Sequence, residues 1–165
     1  MEIRLTLALP RDELSIPVVR RVLVSAMSVL GVNADCIDDV AVAVTEACTN
    51  VLQHAADDGV EYEVSVGIDH HLCVIEVFDR GSGFDSSGAG DATADLSSER
   101  GRGIHLMRQM VDRVSFGSRL PEQGTIVHLE KQLYWPEGAP ITRLWANGGE
   151  AQAPVAETLG SNPLG

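Results

Sequence analysis

Positive charge is in short supply. Twelve Lys and Arg face 24 Asp and Glu, giving a net charge of −12, and Lys131 is the only lysine. A surface that tracks nucleic-acid phosphates or an anionic membrane needs clustered cations, which so acidic a chain rarely provides. Neither a direct nucleic-acid partner nor a membrane is therefore expected. Aromatic residues make up only 4% of the 165 residues. Cys36, Cys48 and Cys73 are odd in number, form no C-x-x-C pair, and two of them fall in apolar helical sequence. Free cysteine behaves there as a small hydrophobe, which suits a reducing, cytoplasmic setting. No run of about 18 or more apolar residues occurs, and the N-terminus opens into strand-like sequence without a charged and then apolar leader. Two nucleotide-binding signatures are also missing, since no glycine is followed by Lys-Ser/Thr and no three-glycine dinucleotide fingerprint appears. The length suffices for one domain with a substantial core.

What is present is periodic. Ile3, Leu5, Leu7 and Leu9 alternate with mostly polar neighbours from Glu2 to Leu9, predicting a half-buried strand. Ser15-Ile16-Pro17 opens a helix whose stripe of Val18, Val22, Leu23, Ala26, Met27 and Leu30 stops at Gly31. Asn33 to Asp35 offers caps for a second helix running to about Ala56. Val60 to Ile68 and Leu72 to Asp79 read as a hairpin around Asp69-His70. Gly81 to Glu99 lacks periodicity and reads as a lid-type loop. Ile104 to Val111 restores helical spacing, and Arg113 to Arg119 and Thr125 to Leu133 read as a final strand pair. These elements define one domain over 1–134. From Pro136 the composition turns to Gly, Pro, Ala and Glu, so 135–165 reads as a flexible tail in which Ile141 to Trp145 could dock.

The second helix carries the first chemical signal. Glu46, Asn50 and His54 recur every fourth residue, so a carboxylate, a carboxamide and an imidazole line one edge. Asp79 follows the apolar run Val74 to Phe78 and opens Asp79-Arg80-Gly81-Ser82-Gly83, the place at a strand end where loops build sites. Gly101-Arg102-Gly103 precedes the helix expected at Ile104, where backbone N–H groups can cradle phosphates, and Arg100, Arg102, Arg108 and Arg113 crowd around it. A nucleotide triphosphate adds about four negative charges to an already acidic chain, so the site must supply Mg²⁺, backbone donors and arginines. Asn50 can give Mg²⁺ a neutral oxygen ligand, Glu46 can take a proton from an incoming hydroxyl or water, and His54 can donate to a phosphate oxygen. Each residue alone also reads as ordinary: Glu46 and Asn50 as solvated helix positions, His54 as a favourable cation near a helix C-terminus, Asp79 as a turn residue. The spacing together with both glycine turns is what points to a nucleotide.

Glu46-x-x-x-Asn50-x-x-x-His54, Asp79-x-Gly81-x-Gly83 and Gly101-x-Gly103, in that order, resemble the N, G1 and G2 boxes of the GHKL or Bergerat-fold ATPases, over roughly residues 1 to 134. Within that superfamily, the run Val44 to Asn50, the segment Arg100 to Ile104 with Leu106-Met107, and Gly124 to Val127 resemble the anti-sigma factor serine kinases. The resemblance implies an α+β, two-layer fold, a mixed and mostly antiparallel sheet covered on one face by helices. It implies ATP and Mg²⁺ as cofactors, Glu46 as base, Asn50 on Mg²⁺, and Asp79 accepting from the adenine amino group. Gly81, Gly83, Gly101 and Gly103 would shape the pocket, with Arg100, Arg102 and Ile104 in the same nucleotide-binding segment and Thr125 behind the adenine. The implied partners are a sigma factor and an anti-anti-sigma antagonist of the STAS type. A homodimer, a nucleotide-gated binder that transfers no phosphate, and a bare interaction domain all stay open.

Overall fold

The structure, a computed structural model, describes residues 2–54, 61–79, 99–118 and 125–149. Strand β1 spans Ile3–Pro10, helix α1 Ser15–Leu30, α2 Ala34–His54, β2 Glu61–Ile68, β3 Leu72–Asp79, α3 Glu99–Met110, β4 Arg113–Ser118, β5 Thr125–Gln132 and α4 Ile141–Gly149. Most ends fall within a residue or two of those the periodicity predicts. The expected end of α2 near Ala56, the expected lid up to residue 98 with Gly81 and Gly83, and residues 150–165 lie outside the described residues.

Local chemistry explains the boundaries. Gly31 ends α1 with a left-handed φ of 83°, its N–H reaching the Met27 and Ser28 carbonyls while the Val32 N–H also bonds to Met27. Ahead of α2, the Asn33 side chain accepts the Asp35 N–H at 2.8 Å. Between β2 and β3, Asp69 Oδ1 accepts the N–H groups of His71 and Leu72, both at 2.8 Å. Those bonds hold the Asp69 carboxyl below its ordinary pKa, against a smaller upward push from burial.

The five strands lie in the order β1-β2-β3-β5-β4, with every neighbouring pair antiparallel. The sheet is thus antiparallel throughout among the described residues, within the α+β, mostly antiparallel architecture that the family resemblance implied. Such sheets can bury one face and wet the other. Tyr62, Val64, Val66 and Ile68 of β2, Ile75 and Val77 of β3, and Val127 and Leu129 of β5 meet Val19, Leu23 and Met27 of α1 and Val40, Val44, Ala47 and Val51 of α2 in one core. The opposite face is polar: His128 lies 3.2 Å from Glu76, its register partner, and 2.9 Å from Glu130. Helix α3 packs against α2, burying Met107.

Residues 135–149 fold back on the domain. Ile141 and Ala139 are buried, Trp145 stacks on His70 with ring centroids 3.6 Å apart, and Trp135 Nε1–H donates to the His70 carbonyl. A Cβ on Gly31 would stand 2.5 Å from Pro140 Cδ, so this approach and the positive φ both require glycine there. The residues expected to dock, Ile141 to Trp145, therefore lie in a helix packed against the end of α1 and the β2–β3 turn.

Candidate functional site

Helix α2 presents Glu46 and Asn50 on the flank that meets α3. Asn50 is only 7% exposed, one of two buried polar residues in the chain's described part. Its Nδ2 meets no hydrogen-bond partner among the described residues. An unpaired buried amide costs about 1–3 kcal/mol, which makes Asn50 a candidate for a role beyond packing among the described residues. One turn earlier, half-buried Glu46 reaches toward α3, where a Cβ added to Gly103 would stand 2.9 Å from Oε2. Any larger residue at Gly103 would have to displace that carboxylate. His54 closes α2 one turn beyond Asn50.

Asp79 and Thr125 are register partners at the adjoining ends of β3 and β5. The same end is tied to α2 from below. Tyr62 pairs with Asp79 in the sheet, and its hydroxyl shares a 2.7 Å hydrogen bond with Ser15 Oγ, which itself donates to the Asp12 carbonyl at 2.6 Å. Tyr62 is therefore the donor to Ser15, and its hydroxyl also meets the sulfur of Cys48, which lies between Glu46 and Asn50 in sequence. Burial pushes both the Cys48 thiol and the Tyr62 hydroxyl up to about 12; the Tyr62 contact opposes it at Cys48, whereas at Tyr62 the Ser15 hydrogen bond opposes it and Cys48 adds to it. They are neutral struts beneath the site, and neither supplies a nucleophile at ordinary pH. Nothing in the spacing announces this chain of hydroxyls, since Ser15 and Tyr62 stand far apart in sequence and meet only through the fold.

One expectation is corrected. Gly101-Arg102-Gly103 does not precede its helix but lies within α3, which begins at Glu99. Each interior glycine costs a helix about 1 kcal/mol relative to alanine, but packing against α2 outweighs propensity here, and Gly103 admits Glu46. The N–H donors that a helix leaves to outside partners are those of its first turn, which here begins at Glu99. Arg102 is exposed, whereas Ile104 is half-buried and packs against the core. Gly81 and Gly83 fall outside the described residues.

A separate cavity of about 700 Å³ opens on the other flank of α2, between Arg11, Glu13, Ile16 and Pro17 and the side chains of Thr45, Thr49, Leu52 and Gln53. Neither Glu46 nor Asn50 lines it, so it is not where their chemistry would happen. Among the described residues no group of three or more His, Cys, Asp or Glu could hold a metal. A metal ion here would take few protein ligands and rely on waters and phosphates, the habit of Mg²⁺. Asn50, whose carboxamide oxygen is a neutral ligand type buried on this flank, fits that role. Among the same residues no helix is long and apolar enough to cross a membrane.

Residues 9–131 match the model of the histidine kinase-like ATPase domain family. The chain is similar to the serine-protein kinase RsbW of Bacillus velezensis, at 33% identity over 135 residues, which covers 76% of this chain and 82% of the relative. It is similar to RsbW of Bacillus subtilis at 34% over 107 residues, covering 59% and 67%, and to that of Halalkalibacterium halodurans at 30% over 135 residues, covering 77% and 82%. Among solved structures it is similar to the RsbU and RsbW domains of a Mycobacterium tuberculosis protein, with a TM-score of 0.61 at 19% identity over 81% of this chain and 33% of that one, a likeness of fold alone. The chain belongs to the histidine kinase-like ATPase family, and within that GHKL superfamily to the anti-sigma factor kinases that RsbW represents.

Proposed function

We propose that this protein is an anti-sigma factor that transfers the γ-phosphoryl group of ATP to a serine or threonine hydroxyl of a STAS-type anti-anti-sigma antagonist, and in an alternative complex holds a sigma factor inactive. The observation that carries the reading is the pairing on one flank of α2 of a buried carboxamide, Asn50, whose Nδ2 has no partner among the described residues, and a carboxylate, Glu46, seated against a glycine of α3. RsbW relatives named serine-protein kinases support the same direction.

Bound Mg-ATP supplies the phosphoryl group and the metal's charge. Asn50 would hold the metal through its carboxamide oxygen, adding no negative charge to a chain already at −12. With Mg-ATP bound, the incoming hydroxyl would lose its proton to the Glu46 carboxylate as its oxygen bonds to the γ-phosphorus and the bond from that phosphorus to the bridging oxygen breaks, releasing ADP, general-base assistance worth typically 10²–10⁴-fold. Asp79 would accept from the adenine amino group, with Thr125 beside it in the sheet. Gly81, Gly83, Gly101 and Gly103 would shape the pocket, with His54, Arg100 and Arg102 toward the phosphates and Ile104 at the helix behind them. Work on a sigma factor and its antagonist suits a cytoplasmic protein, and a homodimer is compatible with this reading.

The test is transfer from γ-labelled ATP to purified STAS-domain proteins of the same organism. Labelling of a serine or threonine is expected. ATP binding without labelling of any of them would instead favour a nucleotide-gated binder, and no ATP binding at all would leave only an interaction domain.

A further inference from the structure

The chain's single lysine sits at a junction of three elements. From β5, Lys131 Nζ donates to Asp39 Oδ2 of α2 at 2.7 Å and to the carbonyl of Met110, the last residue of α3, at 2.9 Å. The Lys131 and Asp39 side chains are 16% and 34% exposed. Burial disfavours the ammonium, but the Asp39 hydrogen bond and charge, with Asp112 behind them, outweigh it and raise the Lys131 pKa above its ordinary value. Lys131 is therefore a cation at working pH, and it caps carbonyls that a helix C-terminus leaves without intrahelical donors.

The other end of the same helix pair is the candidate site. Asp39 precedes Glu46 by about two helical turns, and Gly103 precedes Met110 by the same span, about 10 Å each. Helices α2 and α3 thus run antiparallel over matched lengths, closed at one end by Lys131 and at the other by Glu46 against Gly103. What lies between specifies register poorly: the apolar side chains that α3 turns toward the core are Ile104, Met107 and Met110, and methionine adapts to many packings. Asp112 ties the chain after α3 to β5, its N–H bonding to the Glu130 carbonyl and its carboxylate accepting the Gln132 N–H. Lys131 adds a directional link to α2 itself, and fixing register is the best-attested use of a partly buried ion pair.

We propose that Lys131 is a positioning residue: by pinning the C-terminal end of α3 to Asp39 it sets the register of α3 along α2, and so where Glu46 sits relative to the first turn of α3. Its catalytic consequence rests on the phosphoryl-transfer reading above, while its structural consequence does not.

The experiment compares the full chain with Lys131→Met and Lys131→Arg, and with the gentler Asp39→Asn should the first variant not fold. Amide hydrogen exchange without nucleotide should speed up at Gly103, Ile104 and His105 by about tenfold or more in Lys131→Met, and Lys131→Arg should restore most of the protection. Acceleration confined to the residues around Met110 and Asp112, with Gly103 to His105 unchanged, overturns the proposal, as does full protection in Asp39→Asn. In phosphotransfer, Lys131→Met combined with Gly103→Ala should lose less than the product of the two single losses, because both act on where the Glu46 carboxylate sits against α3. Sites about 10 Å apart with separate structural roles would multiply instead. A parent protein that binds no ATP would sink the functional reading and leave the exchange test standing.

Discussion

Replacing Gly103 by alanine should make the protein more stable and less active. The backbone at Gly103 is helical, so alanine gains up to about 1 kcal/mol of helix propensity there. Its new Cβ would start 2.9 Å from Glu46 Oε2 and 4.0 Å from the carboxylate carbon. Ordinary contact requires the carboxylate to retreat by about 0.5 Å, and because it is the far end of a flexible side chain it can do so cheaply. The net effect on folding should be a rise in Tm of roughly 2–4 °C or less. Catalysis is less forgiving. A general base must sit within hydrogen-bond reach of the hydroxyl it serves, and a misplacement of about 1 Å can cost about 10²-fold. Half that displacement predicts a loss of roughly tenfold in phosphotransfer. Thermal unfolding, calorimetry with Mg-ATP and transfer from labelled ATP separate the terms. A Tm that falls by several degrees would mean that the α2–α3 contact is rigid and misjudged. A raised Tm with transfer within a factor of two of the parent would mean that Glu46 does not depend on this contact.

Asn50→Ala should lower Mg-dependent ATP affinity by at least tenfold while Tm holds or rises, since among the described residues its Nδ2 has no partner to lose; calorimetry with and without Mg²⁺ checks it. Gly31→Ala should destabilise by more than about 1 kcal/mol, because alanine meets both a φ of 83° and Pro140 Cδ at 2.5 Å; urea unfolding measures it. Stability should also fall on the alkaline side. Burial raises the Cys48 and Cys73 thiols from 9.0 to about 12 and the Tyr62 hydroxyl from 10.0 to about 12, so the fold favours their neutral forms. That contribution is fully present below about pH 9 and lost as pH climbs toward 12. A Cys73→Ala variant should flatten the decline of Tm with pH over that window.

The elements that carry the candidate site residues could largely be read before any fold was in view, because helical and strand periods are local. Glu46 and Asn50 fall on one face of α2 for the reason their spacing gives, and β3 runs from Leu72 to Asp79 as its alternation predicts. The start of α3 was not legible. Two glycines in three residues read as a turn, and only the packing of α3 against Glu46 turns them into helix. The strand order was equally hidden, since β5 inserts between β3 and β4 through contacts that no local pattern encodes. For the same reason the sequence names Lys131 as the only lysine without revealing that it joins Asp39 to Met110. Tyr62 reads from sequence as a strand aromatic, and its bonds to Ser15 and Cys48 appear only once β2 lies beneath both helices.

The central claim is that Glu46 takes the proton of a protein hydroxyl during transfer from Mg-ATP, and Glu46→Gln tests it most directly. The substitution keeps the size and one carbonyl acceptor while removing basicity. Mg-ATP affinity by calorimetry should match the parent, and transfer of the labelled phosphoryl group to a STAS-type antagonist should fall on the order of 10²-fold or more. Transfer at a near-parental rate by the Gln variant would contradict the account and remove Glu46 from the chemistry.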